Sequence, residues 1–153
     1  MNKADYSPLI EVTQQPLLWD GYDPVRPELS SEFKTSNGRK VFGLRLDGGV
    51  FVAFLCLAFT SDVPKTVGEL TSLASESQEV AVPYSVWSMK RGAGRRIVKM
   101  VAEYVSQETK AKRLVTLSPK TDMAERFHLK NGASEVGRSD LSVNFEYPLN
   151  DKT

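Results

Sequence analysis

One cysteine in 153 residues leaves the chain no internal disulfide. That residue, Cys56, lies inside an apolar run over 49–59, so it is expected as a small core side chain and not as a nucleophile. Net charge is equally scarce. Twenty Lys and Arg against 19 Asp and Glu give +1, which supplies no general attraction to nucleic acid or to an anionic membrane, so any phosphate has to be held locally. The run 49–59 is the longest apolar stretch and is too short to cross a bilayer, and residues 1–6 lack the apolar segment of a secretory signal. A soluble cytoplasmic protein is expected, folded as one domain over 1–153, with no metal. There is also only one histidine, His128, so imidazole chemistry near neutral pH can fall nowhere else.

What is present reads as alternating strands and helices. Residues 8–13 have the β-branched content of a first strand. Between 14 and 38, Pro16, Pro24 and Pro27 break up regular structure, leaving a short helix over 27–34 with proline at its first position, and Trp19, Tyr22 and Phe33 are expected to seal the sheet edge. Residues 40–46 alternate, Asp47-Gly48-Gly49 is turn chemistry, and 50–59 is apolar throughout most of its length: a hairpin entering the sheet centre. Thr66-x-x-Glu69 has the spacing of a capping box and predicts a short helix carrying Leu70 and Leu73. A strand follows over 79–88, interrupted by Pro83, which cannot donate to a ladder. The clearest helical pattern spans 95–107, with Ile97, Val101 and Tyr104 on one side. Residues 114–117 form a strand parallel to 79–88, because a helix intervenes. Thr121 or Asp122 caps a helix to Lys130, Asn131-Gly132 supplies its exit, and 141–147 alternates as the closing strand.

The junction between the strand 79–88 and the helix after it contains Gly92-Ala93-Gly94 with Arg91, Arg95 and Arg96 crowded around it. Such a turn leaves main-chain N–H groups at the positive end of a helix dipole, where they can hold a phosphate. No third glycine completes a dinucleotide fingerprint and no Gly-Lys-Ser/Thr follows. A short anion-binding turn and a plain structural loop both remain open on these residues.

Together with the strand 113–118 and the segment Met123-Ala124-Glu125-Arg126-Phe127-His128-Leu129-Lys130-Asn131-Gly132-Ala133, this junction resembles the core of the GNAT superfamily of acyl-CoA-dependent N-acyltransferases. Within it, Tyr84-Ser85-Val86-Trp87, Leu117-Ser118-Pro119, residues 127–133 and Asn144-Phe145-Glu146-Tyr147 resemble phrases of the catalytic domain of malonyl-CoA decarboxylase. The likeness covers roughly residues 80–148. It implies an α+β (α/β) fold with a mixed central sheet of about six to seven strands, flanked by three to four helices, and a splayed central strand pair.

The resemblance also implies a site. Arg91, Gly92, Ala93, Gly94, Arg95 and Arg96 would hold the pyrophosphate of coenzyme A. The backbone of Val86, Trp87, Ser88 and Met89 would polarise the thioester, and Ser118 and Phe127 would complete the binding set. His128 stands where the family often has a tyrosine that serves the leaving thiolate. The first expectation is therefore transfer of an acyl group, from acetyl-CoA or a relative, to an amine of a small molecule or protein. The alternatives are decarboxylation of malonyl-CoA by His128 with Ser85 or Ser88, and a weakly catalytic coenzyme A-binding protein acting on a partner, for instance a phage effector of a host enzyme in the host cytoplasm. Homodimerisation stays open. Two departures stand out: Met89 occupies a position usually Arg or Gln, and Trp87 replaces a small residue. A general base would have to come from Glu79, Asp140, Glu146 or water.

Overall fold

The longest apolar run becomes the strand on which both faces of the protein are built. In the computed structural model, which describes residues 6–149, β3 (Phe51–Thr60) is buried at every residue but the first. Its neighbours are β2 (Lys40–Arg45), antiparallel through the hairpin, and β4 (Val80–Ser88), antiparallel on the other side. Alternate residues of β3 supply two cores. Ala53, Leu55, Leu57 and Phe59 pack under α3 (Ala93–Glu108) with Ile97, Val101 and Val105, while Phe54, Cys56 and Ala58 face Trp19, Leu70 and Tyr84. An antiparallel strand covered on both faces has no polar side to show, hence its unbroken hydrophobicity.

Among the described residues eight strands make one mixed sheet. At one margin β1 (Ile10–Glu11) pairs β2, and beyond β4 lie β5 (Arg113–Val115), β8 (Ser142–Tyr147) and β6 (Ser118–Pro119), with β7 (Ser134–Arg138) on β8. The helices are α1 (Ser31–Thr35), α2 (Glu69–Ser72), α3 and α4 (Asp122–Lys130). The parallel pairing of β4 with β5 is limited to Val80 with Arg113 and Ala81 with Leu114. One further bond, Leu117 N–H to Pro83 O at 3.0 Å, closes the junction, after which the strands part. The N and O of one strand residue point to the same side, so the donor Pro83 lacks is missing where the ladder ends. Across the other edge of β4 the register slips by one at Tyr84, a bulge that bends the strand away from its partner.

Several expectations change. The helix placed at 27–34 begins after Ser30, whose hydroxyl accepts from Phe33 N, so Pro27 precedes the helix and does not start it. Proline does lead a helical turn at Pro16, in a single 3-10 turn, Pro16–Leu18. Trp19 and Phe33 cover a sheet face, not an edge: Trp19 is fully buried with Nε1 donating to Val12 O at 2.9 Å, and Phe33 meets Tyr84 edge-on. The strand at 8–13 keeps only two ladder residues, though Val12 N and Thr13 Oγ1 still bond to Val41. The strand at 114–117 divides into β5 and β6, and β7 was not foreseen. Of the capping box at 66–69 only one half forms: Glu69 N donates to Thr66 Oγ1, but the Glu69 carboxylate accepts from Lys65 N and not from Thr66 N, and α2 itself starts after Gly68. Cys56 is buried with its thiol pKa pushed up by burial. Among the described residues no helix is long and apolar enough to cross a membrane.

Candidate functional site

Where β4 leaves β5, a cleft of about 510 Å³ opens between β4 and α4, within the range of about 300–1,000 Å³ usual for small-molecule sites. One wall is β4 from Pro83 to Ser88, the other Ser118, Pro119 and α4 through Ala124, Phe127 and His128. Met89 N bonds Val52 O at 2.8 Å on the β3 side, so by strand alternation Val86 and Ser88 turn their main-chain groups toward the cleft and Trp87 does not. Of the four backbone positions singled out, Val86 and Ser88 can therefore reach a ligand through their amides, while the Met89 amide is taken.

The glycine turn stands at one end of this cleft. Gly92 adopts φ +87, the left-handed region glycine favours, and brings the chain into α3. Gly94 lines the cleft; a Cβ there would stand 3.3 Å from the Phe127 ring and 3.4 Å from Ser88 Oγ, so even a methyl group would be tight against Phe127. Ala93 N is bonded to Lys90 O, whereas the amides of Gly94 and Arg95 have no acceptor among the described residues. Arg91 and Arg95 are exposed at the turn. Arg96 is not with them: its guanidinium lies over the Tyr6 ring at 5.9 Å.

His128 lies on α4, which starts where Thr121 Oγ1 accepts from Ala124 N and ends at Asn131. The ring is buried, stacked on Phe145 at 5.3 Å and edge-on to Phe127 at 5.0 Å. Burial drives its pKa down to about 4, so it is neutral at pH 7. Nδ1 is 2.7 Å from the Tyr147 hydroxyl. Burial raises the Tyr147 pKa, so the phenol keeps its proton and can donate it. Nδ1 of the neutral ring is the acceptor within reach of that proton. A neutral imidazole that accepts at Nδ1 carries its own proton on Nε2, and in that tautomer His128, which lines the cleft, has an N–H to donate.

The serines behave differently from one another. Ser88 is exposed at the α3 end. Ser118 is buried and donates to Thr116 Oγ1 at 2.8 Å. Ser85 is buried and donates to the Asp23 carboxylate, 2.8 Å from both oxygens. Asp23 was not among the residues singled out. It also accepts from Val25 N, Arg26 N and Lys34 Nζ (2.9 Å), all within the protein. No Asp or Glu lines the cleft among the described residues. Glu79 is held by Ser77 and Glu146 by Arg113, and Asp140 is likewise not on the lining, so none of the three serves as a base there. Asn144 is structural, its amide donating to Pro64 O and Thr116 O.

The low pKa of His128 has a thermodynamic consequence. The unfolded chain binds a proton near pH 6.5 and the folded one only near 4, so stability is full above 6.5 and falls as pH drops from 6.5 to 4. The loss should total about 3 kcal/mol by linkage. Urea unfolding at pH 7 and pH 4.5 will show it, and His128→Phe should remove this part of the slope.

No family model matches the chain, and no curated protein does. Solved structures do. Malonyl-CoA decarboxylase from Agrobacterium vitis superposes with a TM-score of 0.75 at 17% identity, over 99% of this chain and 62% of its own. The GNAT-like decarboxylase GphF, solved with isobutyryl-CoA, gives 0.71 at 12% identity, over 94% and 100%. Arabidopsis thaliana NAA60, solved with a bisubstrate analogue, gives 0.61 at 16% identity, over 95% and 97%. The chain has the GNAT fold, and spans less than two thirds of the length of the Agrobacterium decarboxylase.

Proposed function

We propose that the cleft binds an acyl-CoA and that the protein decarboxylates a malonyl-type thioester. The observation that carries this reading is the His128–Tyr147 pair, which supplies a neutral N–H donor without an accompanying base. Decarboxylation asks for little else. As the bond to the carboxylate breaks, carbon dioxide leaves and the electron pair moves into the thioester, generating an enolate oxygen. Preorganised donors aimed at such an oxygen are among the largest rate terms available. Nε2–H of His128 and the amides of Val86 and Ser88 are those donors, and as the enolate collapses its carbon takes a proton from solvent water, so that one proton is drawn from solution for each carbon dioxide released. The diphosphate would lie on the Gly94 and Arg95 amides beside Arg91 and Arg95, with Phe127 and Ser118 along the pantetheine arm.

Transfer to an amine is the second reading, favoured by the free amides of the β4 edge, which would polarise a thioester carbonyl equally well. It requires the amine to lose a proton, and the cleft lining offers no carboxylate for that. Mass spectrometry of malonyl-CoA incubated with the protein and no acceptor separates them. Acetyl-CoA should accumulate; unchanged malonyl-CoA, with acetylated product appearing only when an amine and acetyl-CoA are supplied, would overturn the decarboxylase reading.

A further inference from the structure

The end of the cleft away from the glycine turn is closed by a segment that contributes little regular structure. Pro24 and Val25 line it, opposite Pro83 and Ser85 and next to the point where Leu117 N meets Pro83 O. This tip is held unusually firmly for a proline-rich loop. Asp23 Oδ1 accepts from Val25 N at 2.8 Å and Arg26 N at 3.0 Å, a side-chain turn that sets the local backbone. The same carboxylate receives Ser85 from the cleft wall and Lys34 from α1. Arg26, buried, spans the fork: Nε donates to Tyr84 O on β4 at 3.0 Å and Nη2 to Leu117 O at 2.8 Å on the departing strand. Those carbonyls belong to the stretch where the ladder stops, and burying them unpaired would be costly.

A thioester whose diphosphate sits at the α3 end must direct its acyl group toward this closed end. We propose that residues 23–26 form a preset wall limiting the size of the acyl group, with Val25 as the specificity-determining residue and Asp23 and Arg26 as its anchors. The inference rests on the acyl-CoA reading above. A half-buried valine at the end of an apolar recess discriminates by whether added methyl groups fit, an effect of about 10- to 200-fold for one carbon in an enzyme pocket. Because the wall is tied to both strands of the fork, it cannot retreat without breaking those bonds, so it excludes by shape and not by charge.

The test is calorimetric titration of coenzyme A, acetyl-CoA and isobutyryl-CoA into the wild-type chain, Val25→Ala and Asp23→Asn. Val25 is not fully buried, so its truncation should leave the protein folded. Val25→Ala should improve isobutyryl-CoA relative to acetyl-CoA by about tenfold with coenzyme A unchanged. Asp23→Asn, which keeps Val25 but weakens its anchor, should move the ratio the same way by a smaller factor. If all three ligands bind and Val25→Ala leaves the ratio unmoved, the wall is overturned while the acyl-CoA reading stands. An Asp23→Asn chain with a lower melting temperature and an unmoved ratio removes Asp23 as an anchor of selectivity. If none of the ligands binds the wild-type chain, both readings fall.

Discussion

Replacing His128 with alanine should lower kcat for malonyl-CoA by about 10² to 10³-fold while leaving KM within a factor of a few. The imidazole stacks on Phe145 and bonds Tyr147 inside the protein, and in the proposed reaction it would meet substrate through Nε2–H alone, an interaction that strengthens as the enolate oxygen gains charge. Loss of a donor used mainly in the transition state appears in kcat. Tyr147→Phe makes the same point more finely. It keeps the ring but leaves Nδ1 without its donor, so the tautomer with Nε2 protonated is no longer enforced, and kcat should fall about tenfold, the equivalent of about 1.4 kcal/mol. Steady-state kinetics on the two variants check both. Wild-type kcat in His128→Ala would assign the chemistry to the Val86 and Ser88 amides alone.

The second large effect is on stability. Asp23 and Lys34 form an ion pair at 2.9 Å with side chains 2% and 3% exposed. Truncating Asp23 to alanine strands the ammonium, and breaking a buried pair from one side usually costs about 3–5 kcal/mol. For a chain of this length that is a fall on the order of 10 °C in melting temperature. Removing both partners should recover much of it, because Lys34→Met in the Asp23→Ala background no longer strands the Lys34 ammonium without its partner. A thermal-melt double-mutant cycle reads the coupling directly. Additive losses would mean that the pair contributes nothing beyond its separate side chains.

The legible parts of the fold were those written in neighbouring residues. The helical spacing of Ile97, Val101 and Tyr104, the cap at Thr121 or Asp122 and the Asp47-Gly48-Gly49 turn each encode local geometry, and α3, α4 (capped by Thr121) and the β2–β3 hairpin formed accordingly. β7 escaped notice because Ser-Glu-Val-Gly-Arg lies on the sheet margin, exposed on both faces, and shows no alternation. At the site, the glycine turn and His128 carried a signal through their resemblance to known phrases. Asp23 carried none of that kind: it meets Ser85 across 62 residues of chain, and Arg26 meets Leu117 across 91. The signal that existed was Asp23-Pro24 with N–H groups two and three residues on, which marks a side-chain turn but not what else the carboxylate binds.

Titration of coenzyme A into the wild-type chain and into Gly94→Leu tests the placement of the ligand more directly than any rate. The added side chain would press on Phe127 and Ser88 Oγ at the mouth of the cleft, where the diphosphate and the upper arm are assigned. Saturable binding by the wild type, lost in a variant that still folds, is the predicted outcome. Binding that survives Gly94→Leu undiminished, or its absence from the wild type, would contradict it.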